Sequence, residues 1–255
     1  MKWVELHIAR RQAEFAEHQF FAENRAFDDV QNVLAFAPDL TFWVMAFQDI
    51  LRLNTSLTRD PEIRKIVRHH RAEDAGHERW FLEDLETIKL SVPGVRDLFG
   101  SKHSPTRDAA YALVAEVFRV TDDRLRLVLV KTLESAGHVF FGRVAAIVER
   151  AGWTSALKYF SFSHLEVEKN HEVFEREISQ IVSSIRLPRA ARAEAKQLVD
   201  RCYAAFNAMF EALCTVDAQR IAATAPAVPR TRARSRTPQV LVVPQTAPRQ
   251  ARARG

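Results

Sequence analysis

Glycine is scarce in this chain, with seven residues among 255, and cysteine is scarcer still, with two. Few glycines, and no clusters of β-branched residues bounded by turn signals, argue against strands. Cys202 and Cys214 stand on one expected helix, out of easy reach of each other, so both read as reduced, partly buried thiols. No run approaches the ~18 to 20 uncharged residues of a membrane span. The N-terminal "MKWVELHIARRQAEF" is too charged for a signal-peptide core. These absences predict a cytoplasmic protein without a membrane span. Acid is missing from one region altogether. From Ala222 to Gly255 there are Arg230, Arg232, Arg234, Arg236, Arg249, Arg252 and Arg254, five of the ten prolines, and no Asp or Glu. Such a composition cannot bury a core and predicts a disordered Arg/Pro/Ala-rich tail over 222–255. Removing those seven charges from the net +5 leaves −2 for the remainder, so the basic balance of the whole chain argues for no specific nucleic-acid function.

The remainder, 1–221, has the makings of one domain. Hydrophobic residues form 47% of the sequence and charged residues 27%, which supports a sizeable core. Apolar residues recur at three and four, as in Leu40, Trp43, Val44, Phe47, Ile50 and Leu51, and again in Leu125, Val128 and Leu133. The expectation is an all-α chain with helices to about Asn24, then near 39–56, 61–89, 106–119, 122–151, 154–160, 162–185 and 188–221. Pro38 and Pro61 fall at or just before helix starts, and Ser91 to Asp108 is the longest internal loop. Several helices exceed twenty residues, which suits a bundle that holds a ligand or metal between facing helices.

Two segments repeat one pattern. His70 to His77 reads "HRAEDAGH" and His164 to His171 reads "HLEVEKNH": each is His, three residues, an acid, two residues, His. On a helix, positions i, i+4 and i+7 share a face, so His70, Asp74 and His77 point one way, as do His164, Glu168 and His171. Imidazole with carboxylate suits iron, manganese or zinc, whereas calcium takes oxygen ligands. Glu134 lies in an otherwise apolar stretch of a long helix, where a buried lone carboxylate would be costly and a metal would relieve it. His138, one turn on, is a ligand, a donor to a ligand, or a packing residue. Taken alone, the first segment, crowded by Arg68, Arg71, Glu78 and Arg79, also reads as a solvated face. Six or seven nitrogen and oxygen ligands are too many for one four-coordinate zinc and enough for two irons. The constellation lacks thiolates, which argues against iron–sulfur chemistry, and no Cys-x-x-Cys-His suggests covalent haem.

In "HHRAEDAGHERWFLEDL" (His69 to Leu85), "ESAGHVFF" (Glu134 to Phe141) and "YFSFSHLEVEKNH" (Tyr159 to His171), the sequence resembles the haem-oxygenase-like non-haem diiron oxidases and oxygenases, the iron-containing redox enzymes. The resemblance covers about residues 30 to 185. It implies a haem-oxygenase-like up-and-down bundle of about seven core helices, two non-haem Fe as cofactor and O2 as co-substrate. It implies His77, Glu134, His164, Glu168 and His171 as metal ligands. Seven residues before His77, where the family often has Glu, stands His70, which leaves His70, Glu73 or Asp74 to complete the set. The implied function is oxidation of a small organic substrate, amino-acid-like or fatty-acid-like, with an electron donor or reductase as partner and a homodimer allowed.

Other readings share the residues. Asp74-x-x-His77 and Glu168-x-x-His171 also fit a ferritin-like diiron bundle, with Glu134 and Asp49 as lone carboxylates. In the haem-oxygenase-like version Asp49 becomes a structural acid or a group that orients a ligand His. A metal-free enzyme on the same scaffold, similar to thiaminase or quinone-cofactor-biosynthesis proteins, is a further class, and a binding protein working through the Arg-rich tail is another. An aromatic pocket is expected from Trp43, Phe47, Trp80, Phe81, Phe140, Phe141 and Phe160.

Overall fold

The computed structural model describes residues 2–22, 29–162, 164 and 185–224, with side chains as far as position 215. Among them every regular element is helical. The chain divides into two units, Met1–Ala223 and Thr224–Gly255, and the expected tail lies outside the described residues apart from its first three. The helices are α1 (Lys2–Ala16), α2 (Val30–Val33), α3 (Thr41–Leu57), α4 (Pro61–Glu73), α5 (His77–Thr87), α6 (Val95–Leu98), α7 (Ser104–Arg119), α8 (Asp123–Arg150) and α9 (Arg189–Thr224), with 3-10 turns at Gln19–Phe21, Ala37–Leu40 and Ser101–His103.

Side-chain caps set the ends of the elements that carry the site. Asp60 accepts the N–H groups of Glu62 (2.9 Å) and Ile63 (3.1 Å), and Pro61 follows at the first helical position, where a missing N–H costs nothing. Asp123 takes the N–H groups of Arg59 (2.7 Å) and Asp60 (2.6 Å), tying the α3–α4 connection to the start of α8. Arg126, buried, donates to the carbonyls of Val117 (3.2 Å) and Val120 (2.9 Å) and to Asn54 (3.2 Å), which closes the α7–α8 turn against α3. Arg201 grips Glu116 through two 2.8 Å bonds, joining α9 to α7.

α3 packs on α4, α5 and α7, and α8 packs on α1 and α4. Phe15, Phe20, Phe36, Phe140 and Phe210 form an aromatic core of mostly edge-to-face contacts, supplied by α1, α8, α9 and the 3-10 turns after α1 and α2. The stretch Val30–Leu57 is apolar and long enough to cross a membrane by length and composition, yet it is divided among α2, a 3-10 turn and α3, and half of its apolar window is buried in this fold. Its Asp39, buried, is held by Lys102 at 2.6 Å.

Two expected helices come out differently. The helix expected over 61–89 is two, because Gly76 adopts φ +98°, a left-handed conformation that ends α4 and lets α5 start anew at His77. The helix expected over 154–160 is a series of turns. There the Asp84 carboxylate takes the N–H groups of Lys158 and Phe160, groups that a helix would have used itself. The N-terminal helix ends at Ala16, and the loop from Ser91 holds α6 and a 3-10 turn, clamped by Arg107 on the carbonyls of Leu98 and Gly100. Of the helix expected over 162–185, only its two ends fall within the described residues.

Candidate functional site

The break between α4 and α5 is where the candidate ligands meet. Asp74 sits in the break, half-buried, with its two carboxylate oxygens facing different imidazoles: Oδ2 lies 3.3 Å from His70 Nε2 and Oδ1 lies 3.3 Å from His77 Nδ1. Its backbone carbonyl accepts from Gln48 of α3 (2.9 Å), and the Glu78 carboxylate accepts the Gly76 N–H (3.0 Å), so the break is fixed from both sides. Burial opposes the Asp74 charge, but His70, His77 and His164 together outweigh it and hold the carboxyl below the usual carboxylate range. From α8, Glu134 brings Oε1 to 3.5 Å from His70 Nε2. His164, 1% exposed, places its ring centroid 4.3 Å from that of His77 and donates from Nδ1 to the Tyr159 carbonyl at 3.0 Å. In the neutral ring that bond places the proton on Nδ1 and the lone pair on Nε2.

The candidate residues therefore separate into groups. His70, Asp74, His77, Glu134 and His164 come together from the α4–α5 break, from α8 and from the segment after the 157–161 turns. Glu73 turns instead to His69, at 2.7 Å, so of the three residues that could complete the set it is His70 and Asp74 that join the others. Glu168 and His171 lie outside the described residues. Glu134 is not buried as expected: its side chain is 49% exposed. It flanks the apolar seam of α8, and its outer side opens on a surface groove shared with Glu5 and Gln12 of α1 and with Lys131 and His138. His138 is exposed on that groove, neither packed in the core nor at the cluster. Asp49 is 65% exposed and pairs with Arg52 at 2.9 Å, so among the described residues it orients no ligand histidine and supplies no carboxylate to the cluster.

The donor set fits a metal in kind: imidazole nitrogen and carboxylate oxygen without thiolate. Neighbouring donors 3.3 to 3.5 Å apart match two ligands sharing one ion at bonds of about 2.1 Å. A carboxylate presenting one oxygen to each of two imidazoles is also the arrangement a bridge between two ions requires. Among the described residues, no three His, Cys, Asp or Glu side chains converge closely enough to hold an ion by themselves.

An apolar cavity of about 80 Å³ ends on the cluster, with Asp74, His77 and His164 at its polar end. Trp43, Phe47, Phe140 and Phe141 line it as expected. Phe81 and Phe160 are instead fully buried core, and Trp80 stacks on the His77 ring at 4.7 Å. Sequence reasoning missed the walls supplied by Phe15, Phe206, Met209 and Phe210, which come from α1 and α9, far from the motifs. It also missed Asp84, 1% exposed, whose oxygens accept from Lys158 (2.8 Å) and Phe160 (3.0 Å) and so shape the turn that presents the Tyr159 carbonyl to His164. A signal for it was there: Asp84 stands seven after His77 and three after Phe81, on the same buried face of α5.

In comparisons with known proteins, no family model matches the chain and no curated protein matches it.

Proposed function

We propose that this chain is a non-haem diiron oxidase or oxygenase of the haem-oxygenase-like kind, which oxidises a small, largely apolar substrate with dioxygen. The observation that carries the reading is the position of Asp74 between His70 and His77, beside Glu134 and His164, at the polar end of an aromatic cavity. A pair of irons held by these residues, with Glu168 and His171 as the further ligands, would supply the one-electron steps that dioxygen activation needs. The protein's own part is positioning. Trp43, Phe47, Phe140 and Phe141 would hold an apolar group against the His77 and His164 end and keep water from it. The bond from His164 Nδ1 to the Tyr159 carbonyl orients the ring so that Nε2 would be the nitrogen offered to a metal. A cavity of about 80 Å³ is smaller than the roughly 150 Å³ that admits benzene, so it favours a short or slender apolar group over a bulky one. The ferritin-like version is the weaker of the two, because its second lone carboxylate, Asp49, faces solvent.

Metal content by mass spectrometry after anaerobic iron loading tests the reading. The expected result is about two irons per chain in the unaltered protein, with a loss of at least half in His70→Ala, Glu134→Ala and His164→Ala. Iron absent from the unaltered protein, or undiminished in all three variants, overturns it in favour of a metal-free enzyme on the same scaffold.

A further inference from the structure

The helix that carries His70 on its buried side carries a row of four cations along its outer side, with Glu62 the one exposed acid, in its first turn. Arg64, Lys65, Arg68 and Arg71 of α4 are all exposed, and the first three border a surface groove of about 530 Å³ that includes Pro61 and His69. Arg64 donates to the Thr58 carbonyl at 2.7 Å, but among the described residues no carboxylate pairs with any of the four. Several arginines elsewhere are paired: Arg52, Arg124 and Arg201 lie 2.9, 2.5 and 2.8 Å from carboxylates. Arg64 and Arg68 are four apart and Arg68 and Arg71 three apart, spacings at which like charges repel across one helix face. The fold thus keeps a repulsion that an anionic partner would relieve. The contrast with the rest of the molecule sharpens this, because residues 1–221 carry a net charge of −2 and the α4 row is a positive band on a mildly acidic body. Such a field steers and orients an acidic partner during encounter.

We infer that the outer face of α4 is the docking surface for an acidic one-electron carrier protein, an inference that rests on the diiron reading above. A carrier seated there would be separated from His70 by the thickness of one helix, about 10 Å. The carrier loses one electron per encounter. Two encounters supply two electrons, and with the two removed from the substrate they make the four that full reduction of dioxygen consumes, the balancing protons coming from substrate and solvent.

The test uses the full chain, iron-loaded, and a reduced acidic [2Fe–2S] ferredoxin as probe, with affinity measured by calorimetry at low and at physiological salt. Two variants are compared, the reversal R64E/K65E/R68E/R71E and the neutral R68Q/R71Q, which spares the Arg64 bond to Thr58. The seven tail arginines remain in both, so any difference belongs to α4. We expect the reversal to weaken binding at least tenfold, the neutral pair to weaken it less, and salt to weaken the unaltered protein most. Equal affinity in all three proteins overturns the inference. So does a result in which the unaltered protein ignores the ferredoxin but binds phosphatidylserine vesicles or an oligonucleotide through the same four residues. Iron content is measured on every sample. Ferredoxin binding without iron overturns the redox reading while leaving the surface assigned, whereas iron without ferredoxin binding overturns the surface alone.

Discussion

Asp84 does its work by holding backbone rather than by touching the cluster. Its two oxygens accept N–H groups of the 157–161 turns, and through the Tyr159 carbonyl they set the orientation of His164. Asp84→Ala would strand buried donors at a cost of about 1 to 3 kcal/mol. We expect its melting temperature to fall by several degrees and its iron retention to fall with it, both measured on the purified variant. Burial pushes the Asp84 carboxyl above the ordinary carboxylate range, against the pull of its bonds to Lys158 and Phe160. The folded state therefore binds its proton more tightly than the unfolded chain does. The contribution of this group is fully present below the unfolded carboxylate pKa and declines as pH rises through the folded one. Asp84→Asn removes that titration, so the stability of the native protein relative to the Asn variant should drop as pH rises from about 4. Denaturant midpoints at a series of pH values check this, and a constant difference would show that Asp84 does not titrate as described.

At the scale of elements, the break at Asp74–Gly76 decides the geometry of the site. Gly76 at φ +98° has nothing within 4 Å of where a Cβ would stand, so a substitution there is resisted by backbone conformation alone. Gly76→Ala should cost about 1 to 2 kcal/mol. It should also release iron more readily than Gly142→Ala, whose site is equally open and whose backbone is helical. Equal iron retention in the two variants would mean that the break is incidental. The repeated His, acid, His spacing was legible because a face is a periodic property of sequence. The reason expected for it was incomplete: His70, Asp74 and His77 meet across a helix break, and Gly76 was the residue that marked the break. Glu134 was legible as a candidate by its lone charge in an apolar run, but its exposure was not, since one flank of α8 opens beside α1, a neighbour no local pattern reveals. Asp49 looked identical to Glu134 in sequence, an acid in an apolar helix, and only the packing of α3 turned it to solvent. The walls from α1 and α9 were illegible for the same reason, because their contact with the motifs depends on tertiary packing.

At the scale of the molecule, the cavity joins elements from both ends of the fold, with Phe15 of α1 and Phe206, Met209 and Phe210 of α9 meeting Phe140 and Phe141 of α8. Gly137 lies between them in mid-α8, where an added Cβ meets only Phe141, at 3.8 Å. Gly137→Leu replaces a residue that weakens a helix by about 0.5 to 1 kcal/mol and fills the cavity with a side chain. The expected outcome is an unchanged or slightly higher melting temperature, intact iron content and loss of apolar-ligand binding, read from Trp43 fluorescence on titration with short alcohols. Binding equal to that of the unaltered protein would remove this cavity as the substrate site.

The two helices that flank Asp74 are each anchored at the end away from it, α4 by the Asp60 cap and by Asp123, and α5 by the bonds of Asp84. They are two levers with fixed outer ends and a common joint, and the three side chains that flank the joint are His70, Asp74 and His77. The spacing of these donors therefore depends on the angle between the two helices, which Gln48 and Glu78 hold at the joint. The grip on whatever the cluster holds is thus set at the junction of two helices, while the aromatic packing of Phe15, Phe140 and Phe210 lies on other elements.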